Sequence, residues 1–66
     1  MQITSSILNE REAARILGLS VHTLRARRFK GQAPAYLKLG KSVRYEREAL
    51  ERFLESCRVR VGGEAA

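Results

Sequence analysis

A chain of 66 residues has room for one domain, and at that size only about 60% of the unfolded surface is buried, so the core is small and a deep catalytic cleft does not fit. The net charge of +6 is unevenly spread: between Ala13 and Tyr45 stand Arg15, Arg25, Arg27, Arg28, Lys30, Lys38, Lys41 and Arg44, with no acidic residue among them. No apolar run nears the roughly 20 residues of a membrane span, the opening MQITSSILNE lacks the features of a secretion signal, and the lone Cys57 has no internal disulfide partner, which together suit a cytoplasmic location.

From Met1 the first residues carry no periodic signal, so a flexible arm is expected over residues 1–7, ahead of one domain at 8–58. Asn9 and Glu12 have capping-box spacing, with Asn9 accepting the Glu12 amide and the Glu12 carboxylate reaching back. Leu8 can pack on Ala13 as a staple, and Glu10 and Glu12 suit the positive end of a helix dipole. A first helix is predicted over Glu10 to Leu17, with Ala13, Ile16 and Leu17 on its apolar face and the small Ala14 allowing close approach of a second helix. Gly18 ends it, because glycine reaches left-handed dihedrals without a Cβ penalty. Leu19 is expected to plug the corner, and Ser20 to cap a second helix from Val21 to about Lys30, stopped by Gly31. Two helices joined by so short a turn must cross steeply, the arrangement that presents the second helix to a groove.

On that second helix Val21 and Leu24 point inward and only the stem of Arg28 can follow them. The opposite face displays His22, Thr23, Arg25 and Ala26, with Phe29 at its far end. Either Phe29 or the aliphatic part of Arg27 must cover the core there, and the sequence leaves that choice open. Gly31 to Pro34 then redirects the chain. Tyr36–Leu39 and Val43–Tyr45 read as two short strands, and LGKS places Gly40 first of two central residues, as a type II′ hairpin prefers. The hairpin carries Lys38, Lys41 and Arg44, a basic flap that must lean on the helices. Tyr36 and Tyr45 are expected to pack it with their polar tips outward.

A last helix over about Arg47 to Cys57 has Leu50, Phe53, Leu54 and Cys57 at i, i+3, i+4 and i+7, a core stripe in which Cys57 serves as a buried apolar filler. Its outer face sets Arg47 against Glu51 and Glu48 against Arg52. Residues 59–66, ending GGEAA, are expected to be a flexible tail. Charge segregated in this way implies one positive face, the electrostatic footprint of a nucleic-acid binder.

The order of parts is specific. EAARILGLS with Thr23–Leu24, the Gly31 and Pro34 break, the LGKSVRY hairpin and REALERFLES resemble the winged helix–turn–helix family of excisionases and AlpA-type regulators, a compact relative of the DNA-binding head of MerR-type regulators. The resemblance implies a mainly α fold with a small β-hairpin: three helices plus a two-stranded wing. It also implies that the second helix enters the major groove, with Val21, His22, Thr23, Arg25, Ala26, Arg27 and Arg28 on it. Lys38, Lys41, Ser42 and Arg44 fall on the wing, against the adjacent backbone or minor groove. The family's usual anchor at Arg27 and its usual Asp or Pro near Glu46 are both replaced here.

Arginine can grip guanine with two hydrogen bonds, so Arg25 is the expected base reader, against a solvated charge as the alternative. His22 is weaker, since a lone exposed histidine is more often incidental. Arg27 and Arg28 read as packed stems with their guanidinium groups on phosphate, and Lys38, Lys41 and Arg44 as phosphate contacts, with a plain stabilising hairpin as the alternative. No catalytic set, phosphate-cradling loop, metal site or cofactor is expected: aspartate is absent, and one His and one Cys fall short of four metal ligands.

The partner expected is double-stranded DNA, bound with sequence preference and with the protein DNA-associated in the cytoplasm. One role is an accessory factor for recombination in a phage or mobile element, working with an integrase and cooperatively along its site. Only eight residues follow Arg58, so a long dimerising helix and an effector domain are not expected. A small transcription regulator has the same chemistry. From another class, a basic protein- or RNA-interaction module would show an apolar patch at Phe29 or a preference for RNA.

Overall fold

In the computed structural model, which describes residues 6–62, the elements run β1 (Ile7–Leu8), α1 (Glu10–Leu17), α2 (Val21–Phe29), β2 (Leu37–Leu39), β3 (Ser42–Glu46) and α3 (Arg47–Ser56). Local chemistry sets most of these boundaries. Asn9 accepts the Glu12 amide at 2.8 Å and the Glu12 carboxylate takes the Asn9 amide at 2.9 Å, the reciprocal cap expected of this spacing. Gly18 takes φ 71°, which lets the Leu19 amide reach back to the Ala14 carbonyl at 3.0 Å and the Gly18 amide to that of Arg15 at 3.2 Å. Ser20 then accepts the Thr23 amide at 3.0 Å and starts α2. That helix ends one residue earlier than expected, and the Gln32 amide reaches back to the Arg27 carbonyl at 2.9 Å.

The hairpin joins β2 to β3 through Gly40 and Lys41, with Leu39 opposite Ser42. Gly40 has φ 64° and among the described residues only glycines have positive φ, so Lys41 does not, which fits a II′ turn and excludes I′. A third strand joins the expected two-stranded wing. β1 pairs antiparallel with β3, Ile7 opposite Glu46 and Leu8 opposite Tyr45, giving the order β1-β3-β2. Ile7 therefore belongs to the sheet rather than to the expected arm over residues 1–7, of which residues 1–5 lie outside the described chain. Residues 63–66 of the expected tail lie outside it as well.

The pairing fixes which hairpin side chains share a face, because residues directly opposite point the same way. Leu8, Val43 and Tyr45 face the core, whereas Leu37 and Leu39 share the other face with Arg44 and Ser42. Leu39 is accordingly exposed. One core joins the elements: Leu8, Ala13, Ala14, Leu24, Tyr45 and Leu50 are buried together, with Leu17, Val21 and Val43 packed against them. Ala13 and Ala14 are small enough to let neighbouring elements approach the α1 backbone closely, and Leu8, expected to staple on Ala13, is buried in the same cluster with it.

Several side chains depart from the sequence pattern. The inward stripe of α1 is Glu10, Ala13, Ala14 and Leu17, at i, i+3, i+4 and i+7, so Ile16 lies on the flank and is exposed. In α3 the buried side is Ala49 and Leu50 with Phe53 half-buried, while Leu54 and Cys57 are exposed. Cys57 is thus no core filler: α3 ends at Ser56, and Cys57 follows it as an exposed C-cap. The pairs Arg47–Glu51 and Glu48–Arg52 are not among the ion pairs of the described residues; the one pair that involves this helix joins Glu55 to Arg58, just past its end, at 3.0 Å. Exposed pairs of this kind gain a few tenths of a kcal/mol and lose side-chain entropy, so spacing alone does not make them form. Glu46 precedes α3 without a side-chain cap.

Candidate nucleic-acid interface

Leu24 alone is buried on α2, and its outward side is open. His22, Thr23 and Arg25 are exposed and Ala26 is half-buried between them; Val21 turns back to the core. Helical geometry sets His22, Arg25, Ala26 and Phe29 on one stripe, at i, i+3, i+4 and i+7. The stripe is therefore cationic at Arg25 and apolar at its C-terminal end, where Phe29 is 75% exposed. The Thr23 hydroxyl accepts a hydrogen bond from the Ser20 hydroxyl at 2.9 Å, which holds the first turn of α2 in one rotamer pattern.

The remaining arginines of α2 have inward partners. Arg27 donates from Nε to the Ala33 carbonyl at 2.6 Å and its guanidinium lies 5.0 Å from the centre of the Phe53 ring. That settles the choice left open by the sequence: Arg27, and not Phe29, covers the core where the second half of α2 lacks an apolar anchor. Arg28 is nearly enclosed, its guanidinium 4.8 Å from the Phe29 ring centre and 5.7 Å from that of Tyr36. Through Tyr36, whose ring centre is 6.2 Å from that of Tyr45, this arginine ties α2 to the base of the hairpin.

A carboxylate on α1 joins the cluster. One Glu10 oxygen accepts from Arg25 Nε and Nη2 at 3.3 and 3.0 Å; the other accepts from Arg28 Nε and Nη2 at 3.2 and 2.9 Å. Burial alone would push the Glu10 carboxyl up, but the hydrogen bonds and charges of the two arginines hold it below its ordinary value of 4.5. Tyr45 lies behind, fully buried, and its hydroxyl has no partner at hydrogen-bonding geometry among the described residues. The outward polar tip expected for Tyr45 is thus corrected. Burial raises its pKa, the Glu10 carboxylate adds to the rise, and the nearby Arg28 guanidinium opposes it.

Glu10, expected only to favour the helix dipole, has this second role, which the dipole argument did not predict. The signal was present: Glu10 occupies the i position of the inward stripe of α1, and an acid-free stretch from Ala13 to Tyr45 must find its counter-charge outside itself.

On the hairpin, Lys41 stands in the turn and Lys38, opposite Val43, is exposed on the face away from Arg44. Ser42 is exposed on the Arg44 face. Arg44 is half-buried and its Nη1 donates to the Val43 carbonyl at 2.8 Å. The wing's basic groups thus occupy both faces and the tip rather than one side. Among the described residues no group of three His, Cys, Asp or Glu could hold a metal ion, and no helix is long and apolar enough to cross a membrane.

Two short helices joined by a capped three-residue turn, a second helix with an open cationic face, and a basic hairpin closed by a two-residue turn define a winged helix–turn–helix DNA-binding protein. A family model described as helix-turn-helix domain matches residues 7–58. The chain belongs to this family, the helix–turn–helix domains of excisionase and AlpA type. A comparison with curated proteins found no match.

Proposed function

We propose that the protein binds double-stranded DNA with sequence preference and serves as an excisionase-like accessory factor of a phage or mobile element, one that shapes DNA for an integrase. The observation that carries this reading is the pairing of an open α2 face with a basic hairpin tied to it through Arg28, Tyr36 and Tyr45. So linked, the two elements act as one surface that can hold a major groove and the backbone beside it. Arg25 is the base reader, with His22, Thr23 and Ala26 beside it on α2. Lys38, Lys41, Ser42 and Arg44 hold phosphate, and Arg27 and Arg28 act chiefly by fixing α2.

Phe29 lies on the same stripe as His22 and Arg25, so its exposed ring belongs to the DNA-facing side. Contact with a thymine methyl or a sugar suits it better than a separate protein-docking patch. Cooperative contact between copies along a site and contact with an integrase are further parts of the proposal.

The test is to enrich a site from a randomised duplex pool and measure its bend by circular permutation of that site. The accessory role requires complex mobility to vary with site position. A complex whose mobility does not vary is unbent, which overturns the DNA-shaping role and leaves a small transcription regulator as the reading.

A further inference from the structure

We propose that Glu10 is a positioning residue for DNA recognition: its carboxylate clamps Arg25 in one pose and keeps it from indiscriminate phosphate capture, lowering affinity for random duplex while sharpening choice among sequences. This rests on the DNA-binding reading above and adds a residue outside the recognition helix and the wing.

The geometry supplies the argument. Arginine carries five N–H donors in a rigid fork. Glu10 takes Nε and Nη2 of Arg25, so the side edge of that guanidinium is spent and the end edge, Nη1 with the second hydrogen of Nη2, remains. The Arg25 side chain is 49% exposed while that of Glu10 is 17% exposed, so the clamped edge sits at the more buried partner and the exposed arginine keeps its unused edge for a ligand. Two outward donors suffice for the O6 and N7 of a guanine. A phosphate approaching the side edge instead meets a carboxylate that already occupies it.

Glu10 is itself held. Its second oxygen is locked on Arg28, whose side chain is only 13% exposed and stacked against Phe29 and Tyr36. Arg28 thus anchors Glu10 and Glu10 anchors Arg25, a chain that removes rotamer freedom from the base reader before DNA arrives. One negative charge between two guanidinium groups also cancels one unit of positive charge beside the groove, which weakens the sequence-independent part of binding. Specificity is a difference of affinities, so a group that weakens random binding more than selected binding raises it.

The test compares the full chain with Glu10→Gln on two probes: the randomised duplex pool, and the site that the unaltered protein enriches from that pool. Glu10→Gln should bind the random pool about five-fold tighter, with the slope of log K against log salt steeper by about 0.9, one more phosphate neutralised. Its preference for the enriched site over the pool should fall about ten-fold, the scale of one lost bidentate base contact. A residue that merely supported the fold would lower both affinities together and leave the salt slope alone, and that result overturns the proposal. Unchanged preference and slope overturn it equally.

Should Glu10→Gln melt near the assay temperature, the cycle with Arg25→Ala replaces it, measured well below the melting point. In the Arg25→Ala background the Glu10 change should no longer alter preference, and an effect that persists there overturns the clamp. If the unaltered protein binds no duplex in a salt-dependent way, the DNA-binding reading fails with it; if it binds and only Glu10 is silent, the clamp alone fails.

Discussion

Leu24→Ala is expected to cost about 3 kcal/mol of stability, most of what a domain this small possesses. Leu24 is 0% exposed and sits where α2 meets the core formed by Leu8, Ala13, Ala14, Tyr45 and Leu50. It is the sole buried residue of α2, flanked only by the half-buried Val21 and by arginine stems. Truncation leaves a cavity under the recognition helix, in a core of six buried residues that relaxes only partly around it. For a domain of this size each kcal/mol moves the melting temperature by roughly 4–8 °C, so thermal unfolding followed by far-UV circular dichroism should shift down by about 12–24 °C. A shift below about 4 °C would mean that α2 is held by something other than this contact.

Arg25→Ala and Lys41→Ala should separate two kinds of DNA contact. Arg25 lies on the outward stripe of α2 with one guanidinium edge free, whereas Lys41 sits in the two-residue turn at the hairpin tip. A bidentate arginine–guanine contact is worth about 1–3 kcal/mol of discrimination, so losing Arg25 should cut the preference for the enriched site roughly 5- to 150-fold. Random-sequence affinity should fall far less, because phosphate contacts carry it. Lys41→Ala should weaken enriched and random duplexes alike and reduce the salt slope by about 1. Equal losses on both probes for Arg25→Ala would remove base reading from Arg25. A selective loss for Lys41→Ala would mean that the wing itself reads sequence.

How much of this was legible in the chain follows from the range of each interaction. The Asn9–Glu12 box, the Gly18 stop, the Ser20 cap and the Gly40–Lys41 turn each depend on residues a few positions apart, so spacing alone revealed them. β1 was not legible, since two residues have no period and its partners, Tyr45 and Glu46, lie far along the chain. The α1 stripe was misplaced by one step because Ile16 is more apolar than Ala14, while the neighbouring elements select the small residue for close approach. Cys57 continues the i+7 pattern one residue past the end of α3, where the chain leaves the helix and the thiol is exposed. At the interface, the sequence brought the basic residues to α2 and the hairpin but could not show which of them have partners. Arg27 turns to Ala33 and Phe53, and Arg28 to Glu10, Phe29 and Tyr36, so the outward arginine of α2 is Arg25.

The central claim is that a duplex is held between the open face of α2 and the basic hairpin. Its most direct test is to follow backbone amides by nuclear magnetic resonance while a short duplex is added at low salt. The shifts should concentrate on Ser20 to Ala26 and on Lys38 to Arg44, with the outer side of α3 around Glu48, Glu51 and Glu55 left in place. Perturbation centred on α3, with α2 and the hairpin unmoved, would contradict it.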